Sequence, residues 1–423
     1  NILPAKSQEQ IEKIFDPAEQ DWMGKTLGQL GYAYEGAVKI GDEMFFIAYN
    51  ELTKSDIWKT DLEKTELFID LDTSSVPILR SAFGDWLIYS DMQDESICNF
   101  KAVNIKTKQK LDLIYGADCA NERFSNFFID GNYLAVVVNN EVLYQDLSLL
   151  PTVTIKRRVV NTEGVIIVGN IGKNKIILKD QTNPFGFAPF YILDISSGKL
   201  TQLNSLVGKP IHDATNFVEY NDKYYFQITT EPYVERLLMS CDTAFTTGSI
   251  KNHKNILSNL LFIDHDKAFF SDLEGESNTL GIYDMNTFSK IESLKTGLNT
   301  GYGIWSEATK IAADKYIISG GGSSIFHYDL AENKLTSLMI DTIIQDYAMP
   351  WLTIDSGIVI RYRDNQPTER LFYFPYSDLK PREFFIQKIA RPYETRIFFA
   401  LPNNQLFALV YDPKTSSEYA VID

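Results

Sequence analysis

Short apolar runs and tight polar turns alternate along most of this 423-residue chain. The pattern is clearest in residues 191–203 (YILDISSGKLTQL) and 326–338 (FHYDLAENKLTSL). In both segments an apolar run ends at an aspartate, Asp194 or Asp329, a small or polar turn follows, and the next run alternates apolar with polar residues. Aspartate side chains accept hydrogen bonds from turn amides, and period-two alternation is typical of a half-buried strand. Each segment is therefore predicted to form two strands joined by a turn.

The same strand–turn–strand unit recurs in weaker form at a nearly constant interval. Its turn positions are Asp61, Asn104, Asp146, Asp194, Asp242, Asp284, Asp329, Asp378 and Asp412. Successive positions are 43, 42, 48, 48, 42, 45, 49 and 34 residues apart, so only the last interval is short. Earlier in the units, polar pairs with hairpin-turn chemistry separate two apolar runs, as at Gly41-Asp42, Gly84-Asp85, Asp130-Gly131 and Asn221-Asp222. The two markers together predict a repeated unit of four short strands.

Four-stranded units of about 40–50 residues are typical of β-propeller blades. The segment 191–203 resembles the generic blade repeat of bacterial propellers of the quinoprotein-like, surface-layer and TolB-like kinds, and the resemblance extends over residues 33–423. It implies a fold and no particular function, because such repeats serve many unrelated functions. We expect an all-β propeller of four-stranded antiparallel blades, with eight blades favoured and seven or nine as alternatives. An N-terminal strand is expected to pair with C-terminal strands.

Residues 1–32 lack the repeat and are predicted to form a separate N-terminal arm. The segment Ser7-Gln-Glu-Gln10 resembles a helix capping box, and Ile11 and Phe15 would share one helical face. Pro17 would end such a helix. The predicted organisation is therefore an arm with a short helix over residues 1–32 and a propeller over residues 33–423.

The charge and composition of the chain restrict the classes of partner that we expect it to bind. The net charge is −16, and the longest basic run is Lys156-Arg157-Arg158, which we interpret as the solvated outer edge of a strand. Binding to a phosphate backbone needs clustered Lys and Arg, so no nucleic-acid partner is expected. No window of 18 apolar residues exists, so the chain is not expected to span a membrane. The aromatic content of 13% favours strands, because aromatic side chains suit the surface of a sheet.

The three cysteines, Cys98, Cys119 and Cys241, lie far apart, with no CxxC pair and no neighbouring His. This spacing favours buried free thiols over a metal site, with a single bridging pair as the alternative. Few cysteines, abundant Asn, Tyr and Phe, and a chain that begins at Asn1 suit an exported bacterial protein, periplasmic or at the cell surface. A cytoplasmic location is the alternative.

Motifs that carry chemistry are missing from the sequence. The four histidines, His212, His253, His265 and His327, form no His-x-x-x-His pattern, and we interpret them as structural or solvent-facing. No Gly-x-Ser-x-Gly nucleophile motif is present. Carboxylate pairs such as Asp264/Asp266 are expected by chance among 56 acidic residues. The sequence therefore predicts no catalytic residues, no bound metal and no cofactor.

Candidate binding residues follow from position in the repeat. Propellers bind partners through loops that lead into the first strand and loops between the second and third strands. Several of these predicted loops carry aromatic or charged residues: His212, Asp213, Tyr302, Trp305, Tyr347, Trp351, Arg391 and Tyr393, with Phe185 and Phe187 in the long loop after Asp180. Exposed aromatics beside arginine are typical of both sugar platforms and protein hot spots. In the alternative interpretation, Trp305 and Trp351 pack between blades.

Three functional hypotheses follow. The favoured one is a non-catalytic interaction protein that presents a propeller rim to a protein, peptide or glycan. The second is a carbohydrate-active enzyme with a carboxylate-based site at the channel mouth. The third is an architectural subunit of an envelope or secretion assembly.

Overall fold

A computed structural model shows that the chain is almost entirely β. The structure describes residues 12–13, 37–50, 54–71, 76–92, 97–118, 127–130, 132–138, 140–160, 164–172, 174–180, 188–231, 235–256, 258–274, 277–295, 305–320, 325–338, 345–354, 356–364, 368–388, 395–400, 406–412 and 416–422. Contacts divide the chain into two compact units. Unit 1 comprises Asn1–Gln8, Phe185–Phe190 and Gln202–Lys388, and unit 2 comprises Glu9–Pro184, Tyr191–Thr201 and Ile389–Asp423.

Unit 2 contains four sheets of four consecutive antiparallel strands each, apart from one terminal residue each of β16 and β17 that belongs to unit 1. Sheet 1 contains β2 (Ala37–Ile40), β3 (Glu43–Asn50), β4 (Lys54–Thr60) and β5 (Thr65–Ile69). Sheet 2 contains β6 (Val76–Phe83), β7 (Trp86–Met92), β8 (Ile97–Asn104) and β9 (Lys110–Asp118). Sheet 3 contains β10 (Phe127–Asp130), β11 (Tyr133–Val138), β12 (Glu141–Asp146) and β13 (Lys156–Val159). Sheet 4 contains β14 (Val165–Ile171), β15 (Lys175–Asp180), β16 (Phe190–Asp194) and β17 (Lys199–Gln202).

Unit 1 repeats the arrangement in four further sheets. Sheet 5 contains β18 (Asp213–Tyr220), β19 (Lys223–Glu231), β20 (Glu235–Asp242) and β21 (Lys251–Asn255). Sheet 6 contains β22 (Asn259–Asp264), β23 (Lys267–Glu274), β24 (Ser277–Asp284) and β25 (Lys290–Lys295). Sheet 7 contains β26 (Trp305–Ala312), β27 (Lys315–Gly320), β28 (Ile325–Asp329) and β29 (Lys334–Ser337). Sheet 8 contains β30 (Gln345–Ile354), β31 (Gly357–Asp364), β32 (Thr368–Pro375) and β33 (Arg382–Lys388).

A ninth sheet, in unit 2, combines both ends of the chain. It contains β34 (Thr395–Ala400), β35 (Leu406–Asp412), β36 (Ser416–Ile422) and β1 (Glu12–Lys13), in that order. The expected pairing of an N-terminal strand with C-terminal strands is confirmed, with Glu12 opposite Val421 and Lys13 opposite Ala420. The described strands thus form nine four-stranded sheets, of which eight use consecutive strands, whereas the sequence favoured eight blades in all.

The helix expected in the N-terminal arm is wrong at Glu12 and Lys13, which are extended. Pairing with β36 satisfies main-chain groups at an otherwise open sheet edge, whereas an isolated helix of this length is marginal in water. The rest of that helix, and the boundary between residues 32 and 33, lie outside the described residues. The described part contains one α-helix, α1 (Leu203–Val207), and two 3₁₀ turns, Leu147–Leu149 and Thr247–Ser249. None of these is long and apolar enough to cross a membrane.

Apolar layers join successive sheets within each unit. Between sheets 6 and 7, the rings of Phe262 and Tyr316 stack with centroids 3.9 Å apart, and Phe269 and Tyr328 complete the layer. Similar layers join sheets 1 to 2, 2 to 3, 3 to 4, 5 to 6 and 7 to 8. Because both faces of a sheet are covered, second strands are apolar on both sides, and residues 44–47 are at most 2% exposed. A single unit of this repeat cannot bury both of its faces, so stacking is what stabilises it.

The predicted aspartate turns are confirmed in detail. Asp194 ends β16 and accepts the backbone N–H of Ser197 at 3.0 Å, and Asp284 ends β24 and accepts that of Thr287 at 2.8 Å. Asn104 plays the same role in sheet 2. Asp412 departs from the pattern, since it ends the second strand of its sheet instead of the third. This explains why the last interval of the repeat is short.

Acid is expected to weaken these turns. The backbone N–H of Thr287 is the main cause that holds the pKa of the Asp284 carboxyl below its ordinary value of 3.8. A carboxyl whose pKa is lower in the folded than in the unfolded protein stabilises the fold above about pH 4, and that stability is lost as the pH falls through the folded pKa. We expect Asp284→Asn to be less stable than the wild type in urea at pH 7, and the difference to shrink as the pH falls below about 4.

The reciprocal change serves as the control. Asn104→Asp places a carboxylate on the same two turn amides and should add stability at neutral pH that disappears in acid. A difference between wild type and Asp284→Asn that stays constant from pH 7 to pH 2.5 would show that the charge of the turn residue is irrelevant.

The cysteines and the basic run have defined environments. Cys98, in β8, is disulfide-bonded, so the favoured interpretation of three free thiols is wrong for this residue. Cys241 is free and buried, and burial raises its pKa to about 12. Cys119 lies outside the described residues. The basic run forms β13, the exposed outer strand of sheet 3, as predicted.

Candidate functional site

In every sheet made of consecutive strands, one end of the sheet contains the start of the first strand, the end of the second strand and the start of the third strand. We call this end the leading end. Within unit 1, the first strands of sheets 5, 6 and 7 contact one another in sequence, β18 with β22 and β22 with β26. Their leading ends therefore lie side by side. Loops at the end of such a rigid scaffold are where binding residues concentrate.

The leading end of sheet 5 carries two of the predicted binding residues, His212 and Asp213. Asp213 is the first residue of β18 and lies opposite Thr229, which in turn lies opposite Arg236 at the start of β20. The N–H of His212 donates to the carbonyl of Thr229 at 2.7 Å. His212 is half-buried and Asp213 is exposed. The register therefore places an exposed carboxylate and an arginine on the same row of the sheet.

Arg236 links this end of sheet 5 to sheet 6. Its Nη1 donates to Oδ1 of Asn259, the first residue of β22. Burial lowers the pKa of the guanidinium, and the negative charge of Asp213 opposes that shift. Because an arginine side chain stays protonated in proteins, the leading end presents a half-buried cation. A planar guanidinium held on one side can recognise carboxylate or other oxygen acceptors in a bidentate manner.

A buried amide fixes the two sheets beneath this cation. Gln227, in β19, is fully buried, and its Oε1 accepts the backbone N–H of Leu260 at 2.7 Å and the Nδ2–H of Asn216 at 2.8 Å. Its Nε2 donates to the carbonyls of Ser258 at 2.7 Å and Ile256 at 3.4 Å. These contacts cross from sheet 5 to the start of β22. They hold Asn259, and with it Arg236, in place.

The remaining predicted residues are placed as follows. Trp305 is the first residue of β26. Tyr347 and Trp351 lie within β30, so their assignment to the loop before the first strand is wrong. Pro350 falls in an irregularity between Ala348 and Trp351, and proline, which lacks an N–H, is tolerated in a strand at such bulges. Tyr302, Arg391, Tyr393, Phe185 and Phe187 lie outside the described residues.

Sequence reasoning missed Arg236, Asn259 and Gln227. Arg236 directly follows the loop between the second and third strands of sheet 5, so the positional rule that selected His212 would also have selected it. Gln227 had no such signal, because its role comes from contacts with residues about thirty positions later in the chain.

The other three histidines lie in β28, in β21 and in the turn between β22 and β23. His327 is 4% exposed on β28, and burial lowers its pKa. His253 shares a hydrogen bond of 2.6 Å with the Ser240 hydroxyl, and burial lowers its pKa as well. His265 lies in the exposed turn between β22 and β23, with its Nδ1 3.6 Å from Oδ1 of Asp264. Among the described residues, no three His, Cys, Asp or Glu side chains are grouped so as to hold a metal ion.

Comparison with known proteins supports the fold. No protein-family model matches the chain, and no curated protein matches it. A eukaryotic initiation factor is similar in structure, with a TM-score of 0.53 and 12% identity over 85% of this chain and 89% of that one. The C-terminal WD40 domain of Sif2 has a TM-score of 0.47 and 13% identity, over 79% of this chain and 92% of that domain. A prolyl endopeptidase has a TM-score of 0.46 and 9% identity over 80% of this chain. The match covers only 55% of the endopeptidase. The chain is an all-β protein with the β-propeller fold.

Proposed function

We propose that this protein is a non-catalytic interaction protein that binds a protein, peptide or glycan partner at the leading ends of sheets 5 and 6. The observation that supports the proposal is the half-buried Arg236, held by Asn259 beside the exposed Asp213. Arginine is enriched among the residues that dominate binding energy at interfaces. Because Gln227 locks the sheets beneath it, this arginine loses little freedom on binding, which favours affinity.

A partner bound at this end is expected to be released by changes at Arg236. A partner is first identified by capture from the native source and by a screen against sugars and peptides. We then expect Arg236→Ala to weaken the affinity for that partner at least about tenfold, and Asp213→Asn to change it severalfold. Isothermal titration with each purified variant measures this. Asp222→Asn is the matched control, since Asp222 is an exposed aspartate in the turn at the opposite end of sheet 5.

Two results would count against the proposal. Unchanged affinity of Arg236→Ala for a confirmed partner would place the binding site elsewhere. Turnover of a sugar, abolished by Asp213→Asn, would indicate the alternative of a carbohydrate-active enzyme with a carboxylate at this end.

We also propose that the protein is exported, to the periplasm or the cell surface. The disulfide at Cys98 supports this location, because disulfides persist in oxidising compartments and are rare in the cytosol. In protein quenched directly from the native source and denatured, a thiol-reactive polymer should modify one cysteine per chain, the free Cys241. Three modified cysteines before reduction would indicate a reducing compartment.

A further inference from the structure

The outer edge of sheet 3 differs from a plain solvated edge. Among the described strands, β13 pairs with β12 alone, and all four residues of β13 are exposed. Two of the exposed large apolar side chains in the described part lie in this strand or shortly before it, Val159 at 56% and Val153 at 36%. Val159 lies in the outermost strand of the sheet, where a partner strand would cover it.

The same edge is basic in an acidic protein. Residues 147–160 contain three basic residues, Lys156, Arg157 and Arg158, and no acidic residue, whereas the whole chain carries a net charge of −16. Arg157 lies 3.7 Å from the Glu141 carboxylate, yet its side chain remains 70% exposed. Basic side chains discourage an edge strand from pairing with copies of itself. They do not account for Val153 and Val159 beside them, and both features together fit an acidic partner.

The ladder shows which main-chain groups face outward. The N–H of Val160 donates to the carbonyl of Asn140, directly beyond the pair Glu141–Val159. Hydrogen-bonded and non-hydrogen-bonded pairs alternate in an antiparallel ladder, so Arg158 bonds to β12 and its neighbours do not. The N–H and C=O groups of Arg157 and Val159 therefore point away from β12, into the open edge.

The segment before β13 is held in place by a buried amide. Gln145 in β12 is fully buried, its Oε1 accepts the N–H of Thr154 at 2.6 Å, and its Nε2 donates to the carbonyl of Asp146. The edge is thus ordered before any partner arrives, so little ordering cost opposes binding.

We infer that β13 is a docking strand for an extended, acidic segment of a partner protein, which adds to sheet 3 as a fifth strand. Its main chain would pair with Arg157 and Val159. Because successive side chains of a strand point to opposite faces, its acidic side chains on one face would lie beside Lys156 and Arg158, and its apolar side chains on the other face would lie beside Val159 and the aliphatic stem of Arg157. Strand addition of this kind takes affinity from main-chain hydrogen bonds and specificity from alternate side chains. The residues of this surface belong to unit 2 and those at the leading ends of sheets 5 and 6 to unit 1, so either proposal can fail alone.

The test uses the full chain and a fluorescein-labelled, eight-residue peptide of alternating Glu and Val. We expect the wild type to bind it in fluorescence anisotropy, with affinity that falls as salt rises. Arg158→Glu, on the face that the peptide's glutamates occupy, should weaken binding at least tenfold. Val159→Pro should do the same, because it removes an outward N–H and leaves the ladder to β12 intact. Ile291→Glu and Lys251→Glu, exposed positions on the outer strands β25 and β21, are controls expected to stay within twofold.

Each other outcome overturns the inference. No binding by the wild type, or equal binding by the folded Arg158→Glu and Val159→Pro variants, overturns the assignment of β13 as a docking strand. A peptide N-methylated at every residue, which cannot donate main-chain hydrogen bonds from either edge, must bind at least tenfold more weakly; equal binding overturns strand addition. Preference for an oligouridylate or for anionic lipid vesicles over the acidic peptide would assign the edge to a polyanion instead of a protein segment.

Discussion

Replacing Gln227 by leucine is expected to destabilise the folded protein by about 4 kcal/mol. The buried amide of Gln227 makes four hydrogen bonds, two of them to groups in and before β22 at 2.7 Å. Leucine keeps the approximate size of the side chain but forms none of these four hydrogen bonds, so the partner groups are left without them. Each buried donor or acceptor left without a partner costs about 1–3 kcal/mol. The N–H of Leu260, the carbonyl of Ser258 and the amide of Asn216 would all be affected.

Urea unfolding followed by tryptophan fluorescence and circular dichroism measures this loss. Gln109→Leu is the control, because Gln109 is exposed, and surface substitutions usually change stability by less than about 0.5 kcal/mol. Gln227→Glu should fall between the two, since it keeps the acceptor for Leu260 and loses the donor to Ser258. Equal stability of Gln227→Leu and wild type would mean that the link between sheets 5 and 6 does not depend on this amide.

The second large effect is expected at Gly281, in the middle of β24. A Cβ on this residue would overlap Oδ2 of Asp272 and lie 2.7 Å from its Cγ and 2.9 Å from Cε2 of Tyr283. The Asp272 carboxylate is 4% exposed, accepts the Tyr283 hydroxyl at 3.0 Å and pairs with Lys290 at 2.8 Å. Burial, with the charge of Asp272, raises the pKa of Tyr283 to about 12. Gly281→Ala therefore cannot be accommodated without moving a buried charge off its partners.

We expect Gly281→Ala to cost about 2–3 kcal/mol, because overpacking and a disturbed buried ion pair act together. Gly248→Ala is the matched control, as a Cβ there meets nothing within 4 Å, and it should be neutral or slightly stabilising. In an Asp272→Ala background, Gly281→Ala should cost less, since the overlap with the Asp272 carboxylate is gone and only the contact with Cε2 of Tyr283 remains. Additive losses in that double-mutant cycle would locate the strain elsewhere.

The local pattern was sufficient to predict most of the strands and turns. Asp194, Asp284 and Asp329 end third strands as expected, because each turn is formed by one carboxylate and amides two or three residues away. The polar pair Asn221-Asp222 likewise forms a hairpin turn with positive φ at both residues. Such interactions lie within a few residues and leave a mark in the sequence wherever they occur.

The candidate binding residues were located less well from the sequence than the strands and turns. The positional rule placed Asp213 at the leading end of sheet 5, which the structure shows. It misplaced Tyr347 and Trp351, because the sequence does not mark where a loop stops and an irregular strand such as β30 begins. Arg236 depends on Asn259, 23 residues away, and on a pair of sheets whose packing is not visible in either segment.

Sequence alone therefore determined the repeat, the all-β fold, the aspartate turns and the solvated outer strand of Lys156, Arg157 and Arg158, because these depend on short-range periodicity and turn chemistry. The tertiary structure was required for four features: which residues pair at the two ends of the chain (Glu12 with Val421), the count of nine sheets, the disulfide at Cys98, and the Gln227 link between sheets 5 and 6. Each of these joins segments whose proximity is created by the stacking of sheets. A contact of that kind has no periodic signature, since the energy that selects it is released only when distant surfaces are buried together.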